Sequence, residues 1–267
     1  MGAAPPLAGC RVLITRPRAQ AAPLIELLQT MGAVPLTMPV IAIQAAGDLA
    51  ALDQAIADLA DFDWIVFTSV NGVRLFLERL QQLGRGPALP PSCQVAAIGP
   101  KTARALDAAG LVAHFVPDEH VAEAVLAGLV ARGVAGKAVL LPRAAAAREV
   151  LPDQLQALGA RVTVVPLYQT IQPADPGDAA MIDQLLAGQV DYVTFTSAST
   201  VTGFAAKLGP ANLARLPATV RFAAIGPVTA GTALTTLGRV DVAAAAFTIE
   251  GLVQAIVADR AGLHPAD

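Results

Sequence analysis

Two residue types that anchor many enzyme sites are scarce in this chain of 267 residues, which has only two cysteines and three histidines. Cys10 and Cys93 lie far apart and form no Cys-x-x-Cys unit, so neither a disulfide scaffold nor a zinc knuckle is expected. They read as structural thiols. His114 and His120 match neither an i,i+4 helical pair nor a His-Glu-x-x-His site, and no metal is expected. They read as an ordinary strand residue and a loop residue. Charge is scarce too, at 15% of residues, with 18 Lys+Arg against 21 Asp+Glu and a net charge of −3. A chain without a global basic field is not expected to bind nucleic acid.

Apolar residues make up 55% of the chain, but alanine carries much of that share, and no unbroken apolar run approaches the roughly 20 residues that span a bilayer. No membrane partner is expected. The start, Met1-Gly2-Ala3-Ala4-Pro5-Pro6, lacks the basic stretch and apolar core of a signal peptide, which points to the cytoplasm. There is no Gly-x-x-x-x-Gly-Lys-[Ser/Thr] loop, and no Gly-x-Gly-x-x-Gly follows the first strand, so no nucleotide cofactor is expected. No histidine neighbours Ser69 or Ser197 in a recognisable hydrolase motif.

What the chain does have is an internal repeat. Arg16 and Arg143, Gly32 and Gly159, and Pro39 and Pro166 are each 127 residues apart in matching contexts. Phe67-Thr68-Ser69 recurs as Phe195-Thr196-Ser197, and Ala96-Ala97-Ile98-Gly99-Pro100 as Ala223-Ala224-Ile225-Gly226-Pro227. The length is therefore explained by two homologous units of about 127 residues. In the first, residues 12–15, 34–37, 64–67, 95–98 and 113–116 form near-continuous apolar runs that read as buried strands. Between them, 19–30, 49–60, 70–83 and 102–109 carry apolar residues at helical spacing. This alternation predicts α/β units, each a flavodoxin-like, doubly wound parallel sheet of about five strands.

In such sheets ligands bind beyond the carboxyl ends of the strands. The repeated motifs fall there: Thr15-Arg16-Pro17, Thr68-Ser69, Thr196-Ser197, and the Gly99-Pro100 and Gly226-Pro227 corners with Thr102 and Thr229 just beyond. Pro17 suits the first helical position. These residues offer hydroxyls, backbone N–H groups and a few cations, equipment for gripping a polyanion. Ser and Thr at helix starts serve equally as plain caps, and a duplicated fold duplicates its caps. Arg16 and Arg143 are the stronger signal, because a solvated arginine has no structural need to recur at the end of the first strand.

Six motifs in register carry a resemblance: Leu13-Ile14-Thr15-Arg16-Pro17, the Trp64–Val73 stretch containing Thr68-Ser69-Val70-Asn71-Gly72, Ile98-Gly99-Pro100-Lys101-Thr102-Ala103, Pro166-Leu167-Tyr168-Gln169-Thr170, Phe195-Thr196-Ser197-Ala198-Ser199-Thr200 and Ile225-Gly226-Pro227-Val228-Thr229-Ala230. In this order the chain, from about Arg11 to Ala258, resembles the uroporphyrinogen-III synthase family. The resemblance implies a cofactor-free lyase, a monomer, that closes linear hydroxymethylbilane into uroporphyrinogen III with loss of water and inversion of ring D. It implies one domain from residues 1–38 and 173–267, a second from 42–165, and linker strands at 39–44 and 166–172, with a cleft between two mobile lobes. A two-lobed binding protein without catalysis would use the same fold.

By that resemblance Tyr168 lies at the site and is the candidate general acid. Its repeat counterpart is Ile41, and an asymmetric substrate needs positions that break the repeat; a tyrosine that merely packs in the linker is the alternative. The same argument marks Lys101 opposite Val228 and Asn71 opposite Ser199. Thr15, Arg16, Thr68, Ser69, Asn71, Lys101, Thr102, Arg143, Thr196, Ser197, Ala198, Ser199 and Thr229 are the expected substrate contacts. Pro142 stands where a second Thr15 would be, so a threonine contact there is lost.

Overall fold

The computed structural model describes residues 4–147 and 149–263. The chain begins with β1 (Arg11–Ile14), α1 (Arg18–Thr30) and β2 (Val34–Thr37). It continues through β3 (Ala42–Ala45), α2 (Ala50–Ala57), β4 (Trp64–Phe67), α3 (Val70–Gln82), β5 (Gln94–Ala97), α4 (Pro100–Asp107), α5 (Ala122–Ala131), β6 (Ala138–Ala144), α6 (Val150–Ala157) and β7 (Arg161–Ile171). It closes with α7 (Asp178–Leu186), β8 (Tyr192–Phe195), α8 (Ala198–Leu213), β9 (Arg221–Ala224), α9 (Pro227–Leu237), β10 (Val242–Ala243) and α10 (Ile249–Leu263).

The chain divides into two compact units: unit 1 holds the residues up to Ala42 and those from Ile171 on, and unit 2 holds Ile43–Thr170. Unit 1 is built on a five-stranded sheet of order β2-β1-β8-β9-β10, whose neighbours run parallel. The sheet of unit 2 has the order β3-β7-β6-β4-β5, with β7–β6, β6–β4 and β4–β5 parallel. The doubly wound pattern is thus present twice. The repeat, however, does not coincide with the units. Sheet one takes β1 and β2 from the first copy and β8, β9 and β10 from the second, while sheet two joins β6 and β7 of the second copy to β4 and β5 of the first. Each sheet is assembled from both copies.

Strand runs are continuously apolar because helices cover both faces of each sheet. In unit 1, Val12 and Ile14 pack with Leu24, Leu28, Leu252 and Ile256 on one face, and Leu13 packs with Phe195, Phe204 and Phe222 on the other. Alternate side chains of one strand therefore feed two cores. Unit 2 repeats this, with Leu140 joining Ile65, Phe67 and Phe76, and Val139 and Leu141 joining Val66, Val125 and Leu155. The same edge-to-face aromatic pair recurs, Phe67–Phe76 at 5.5 Å and Phe195–Phe204 at 5.4 Å between ring centroids.

Two details depart from the sequence reading. The expected strand 113–116 is a single parallel bridge, Ala96 to Phe115. The ring of His114 accepts the Val95 N–H at 3.0 Å, so a side chain takes a position that a longer strand would fill with a carbonyl. Pro17 is the N-cap of α1, with an extended ψ of 139°, rather than its first helical residue. Among the described residues no helix is long and apolar enough to cross a membrane.

Candidate functional site

In a sheet of order 2-1-3-4-5 the loops leaving strands 1 and 3 diverge and open a crevice at their carboxyl ends. Unit 1 has this switch point at β1 and β8. Thr15, just past β1, is fully buried and donates its hydroxyl to the Thr194 carbonyl at 2.7 Å, while Thr194 donates to Leu13 at 2.9 Å. Thr15 thus locks the strand ends together and does not present its hydroxyl to the crevice, contrary to the expectation from its motif. Arg16 follows. Its Nη2 reaches Gln20 at 3.5 Å, while its buried Nε and Nη1 have no hydrogen-bond partner among the described residues. Burial lowers the pKa of this guanidinium.

Beside it, Ser197 is the N-cap of α8 in a full capping box with Thr200, and its Oγ lies 2.9 Å from that of Ser199. Thr196 and Ala198 are half-buried on either side, and Ser199 is exposed. The first N–H groups of such a helix have no intrahelical acceptor, so this turn is suited to an anion. The Gly226-Pro227 corner opens α9, and Thr229 in its first turn is buried.

Unit 2 has its switch point at β6 and β4, and here the copies part. β1 ends at Ile14, whereas β6 runs on to Ala144, pairing with β7 across a bulge between Arg143 and Ala144 that brings Ala144 opposite Tyr168. Arg143 is consequently a strand residue, 5% exposed and ion-paired with Glu149, not the solvated arginine that its repeat position suggested. The same extension places Tyr168. Its hydroxyl lies 2.9 Å from Oγ of Ser69, which also accepts the Gly72 N–H at 2.9 Å as the N-cap of α3. Tyr168 is 7% exposed and packs within the unit 2 core.

Thr68 and Asn71 are half-buried beside this pair, Lys101 is exposed on the first turn of α4, and Thr102 is buried beneath it. Among the described residues no group of three or more His, Cys, Asp or Glu could hold a metal ion. Unit 1 supplies helix N-termini, hydroxyls and Arg16, donors for a polyanion; unit 2 supplies helix N-termini and one phenol in reach of a serine.

The family described as uroporphyrinogen-III synthase HemD matches residues 22–254. This chain belongs to that family. A uroporphyrinogen-III synthase of Synechococcus elongatus is 37% identical over 94% of this chain and 96% of its own length. A putative uroporphyrinogen-III synthase of Methanothermobacter thermautotrophicus is 37% identical over 81% of this chain and 85% of its own. The fold is that of a mutant uroporphyrinogen III synthase from the extremely thermophilic bacterium Thermus thermophilus, with a TM-score of 0.67 at 24% identity over 94% of this chain and 98% of that one.

Three neighbours of the site in this synthase-family chain escape sequence reading. Glu149 pairs with Nη2 of Arg143 from outside any motif. His120 and Phe247 press on the two corner glycines: a Cβ added to Gly99 would lie 2.9 Å from Cγ of His120, and one added to Gly226 would lie 2.9 Å from Cδ1 of Phe247. Both corners have extended backbones, with φ of −174° and 177°, so close approach of a ring, not an unusual φ, demands glycine. The available signal was spacing: residues 120 and 247 are 127 apart, like the motifs themselves.

Proposed function

We propose that this protein is a uroporphyrinogen-III synthase, acting as a monomer in the cytoplasm, which closes linear hydroxymethylbilane and inverts ring D. Membership of the family carries the reading, and the donor set at the carboxyl ends of both sheets supports it. The substrate is a polycarboxylate. The N-terminal turns of α3, α4, α8 and α9 offer backbone N–H groups to its carboxylates, and Arg16 adds a cation whose Nε and Nη1 meet no protein acceptor among the described residues.

Chemistry begins when the terminal hydroxyl leaves as water, which requires one proton. Tyr168 is the donor in this reading, since its phenol O–H is a hydrogen-bond donor and its oxygen lies 2.9 Å from Oγ of Ser69. The azafulvene left behind closes unaided to the uninverted macrocycle, so the work of the protein is positioning. Bound carboxylates hold the chain so that the substituted carbon of ring D attacks first and gives a spiro intermediate. That intermediate fragments and recloses in the inverted sense, and the proton that ring D gives up restores the Tyr168 phenol by way of solvent.

The test is a coupled assay. Hydroxymethylbilane is generated in situ, the purified chain is added without cofactor, and the oxidised porphyrin isomers are separated. Type III in excess of the protein-free control is expected. Type I alone from folded protein would overturn the reading in favour of a two-lobed binding protein.

A further inference from the structure

The two Gly-Pro corners share a backbone but not a surface. In unit 2, His120 lies against Gly99, and Lys101 stands exposed two residues beyond it. In unit 1 the matching positions are Phe247 against Gly226, 57% exposed, and Val228, 78% exposed. Both glycines are N-caps with proline at the first helical position, so the turn is preserved while both flanking side chains change from polar to apolar. One exposed apolar side chain needs no explanation. Two at a single corner, on the ligand-binding edge of the sheet and each replacing a polar residue of the other copy, call for a reason.

We propose that Phe247 and Val228 seat a pyrrole ring of the substrate at the corner of unit 1, where the Lys101 and His120 pair of the other copy would instead attract carboxylate. The inference rests on the synthase reading above. Hydroxymethylbilane is itself a repeat, a row of pyrroles bearing similar acidic side chains, and a corner that takes ring and carboxylate alike would accept it in shifted registers. A register shift would bring the wrong ring to the reacting carbon. An apolar corner removes that degeneracy, because an aromatic face favours a ring and desolvates a carboxylate at a cost.

Replacing Val228→Lys and Phe247→His together gives unit 1 the pair that unit 2 already accommodates against its glycine. The assay above, read for KM and isomer ratio, should show KM raised about tenfold, as loss of one aromatic contact implies. Type I product should appear with it. The melting temperature should hold, because both side chains are exposed. Phe247→Tyr with Val228→Ile should keep the wild-type isomer ratio, and Val112→Lys, at an exposed valine beyond the far end of α4, should change neither quantity. Wild type making type III while the Lys/His double variant matches it in KM and isomer ratio would overturn the inference alone. Wild type making only type I would overturn the synthase reading and the seat with it.

Discussion

The hydroxyls of Ser69 and Tyr168 meet at 2.9 Å although 99 residues separate them in the chain. The serine caps the helix after β4, and the tyrosine stands on the extension of β7 past the bulge opposite β6. One oxygen of this pair already receives the Gly72 N–H, so the phenol is held at the rim of a helix N-terminus.

Tyr168→Phe keeps the packing and removes the proton. Turnover should fall about 100-fold, the lower range for loss of a general acid, while stability falls by only about 1 kcal/mol. The coupled assay and thermal unfolding measure the two, and unchanged turnover would remove Tyr168 from the chemistry.

Arg16→Gln tests the polyanion site in unit 1. Two buried donors that no described residue accepts from are lost, so folding should not suffer, and thermal unfolding should occur at the same temperature or higher. KM for the bilane should rise about tenfold or more, the usual worth of a charged hydrogen bond. A destabilised variant with wild-type KM would make Arg16 a structural residue.

Arg143→Gln should behave the opposite way, although it changes the matching residue of the repeat. This arginine lies inside β6, ion-paired with Glu149. Its loss should cost about 1–3 kcal/mol of stability, read from urea unfolding, with KM little altered. A large rise in KM without destabilisation would refute that assignment.

Alkaline conditions test the burial of the thiols. Burial pushes Cys10 up to about 12 and Cys93 up to about 11 from an ordinary value of 9.0. The folded state therefore holds these protons more tightly than the unfolded state, so their stabilising contribution is complete below pH 9 and is lost as pH rises towards the folded values. Urea midpoints should fall above pH 9, and the thiols of the native protein should resist alkylation at pH 8. Rapid labelling of native protein would show that they are accessible.

Elements with strong periodicity were legible in sequence. β4 and β8 read directly from Trp64–Phe67 and Tyr192–Phe195, because a strand covered on both faces must be apolar throughout. The Ser69 and Ser197 caps were legible for the same local reason. Arg143 was not, since its fate depends on how far β6 pairs with β7, a property of the partner strand. Nor was the contact of His120 with Gly99, which joins a loop to a corner about twenty residues away. The repeat period also says nothing about which copy a strand pairs with, and here strands of the two copies share each sheet.

That sharing sets an order of events on the ribosome. β1 and β2 emerge first and can pair only with each other until β8 is made, after all of unit 2 has been synthesised. Unit 2 can fold at once, and β3 and β7, near its two ends, lie side by side, with the Ala46 N–H bonded to the Leu167 carbonyl at 2.8 Å. A finished inner unit thus gathers the two distant segments of the outer one and replaces a long, entropically costly closure with a short one. The inner unit acts as the outer unit's clasp, and a nascent chain stalled before β8 would carry a two-stranded fragment with the far edge of β1 open.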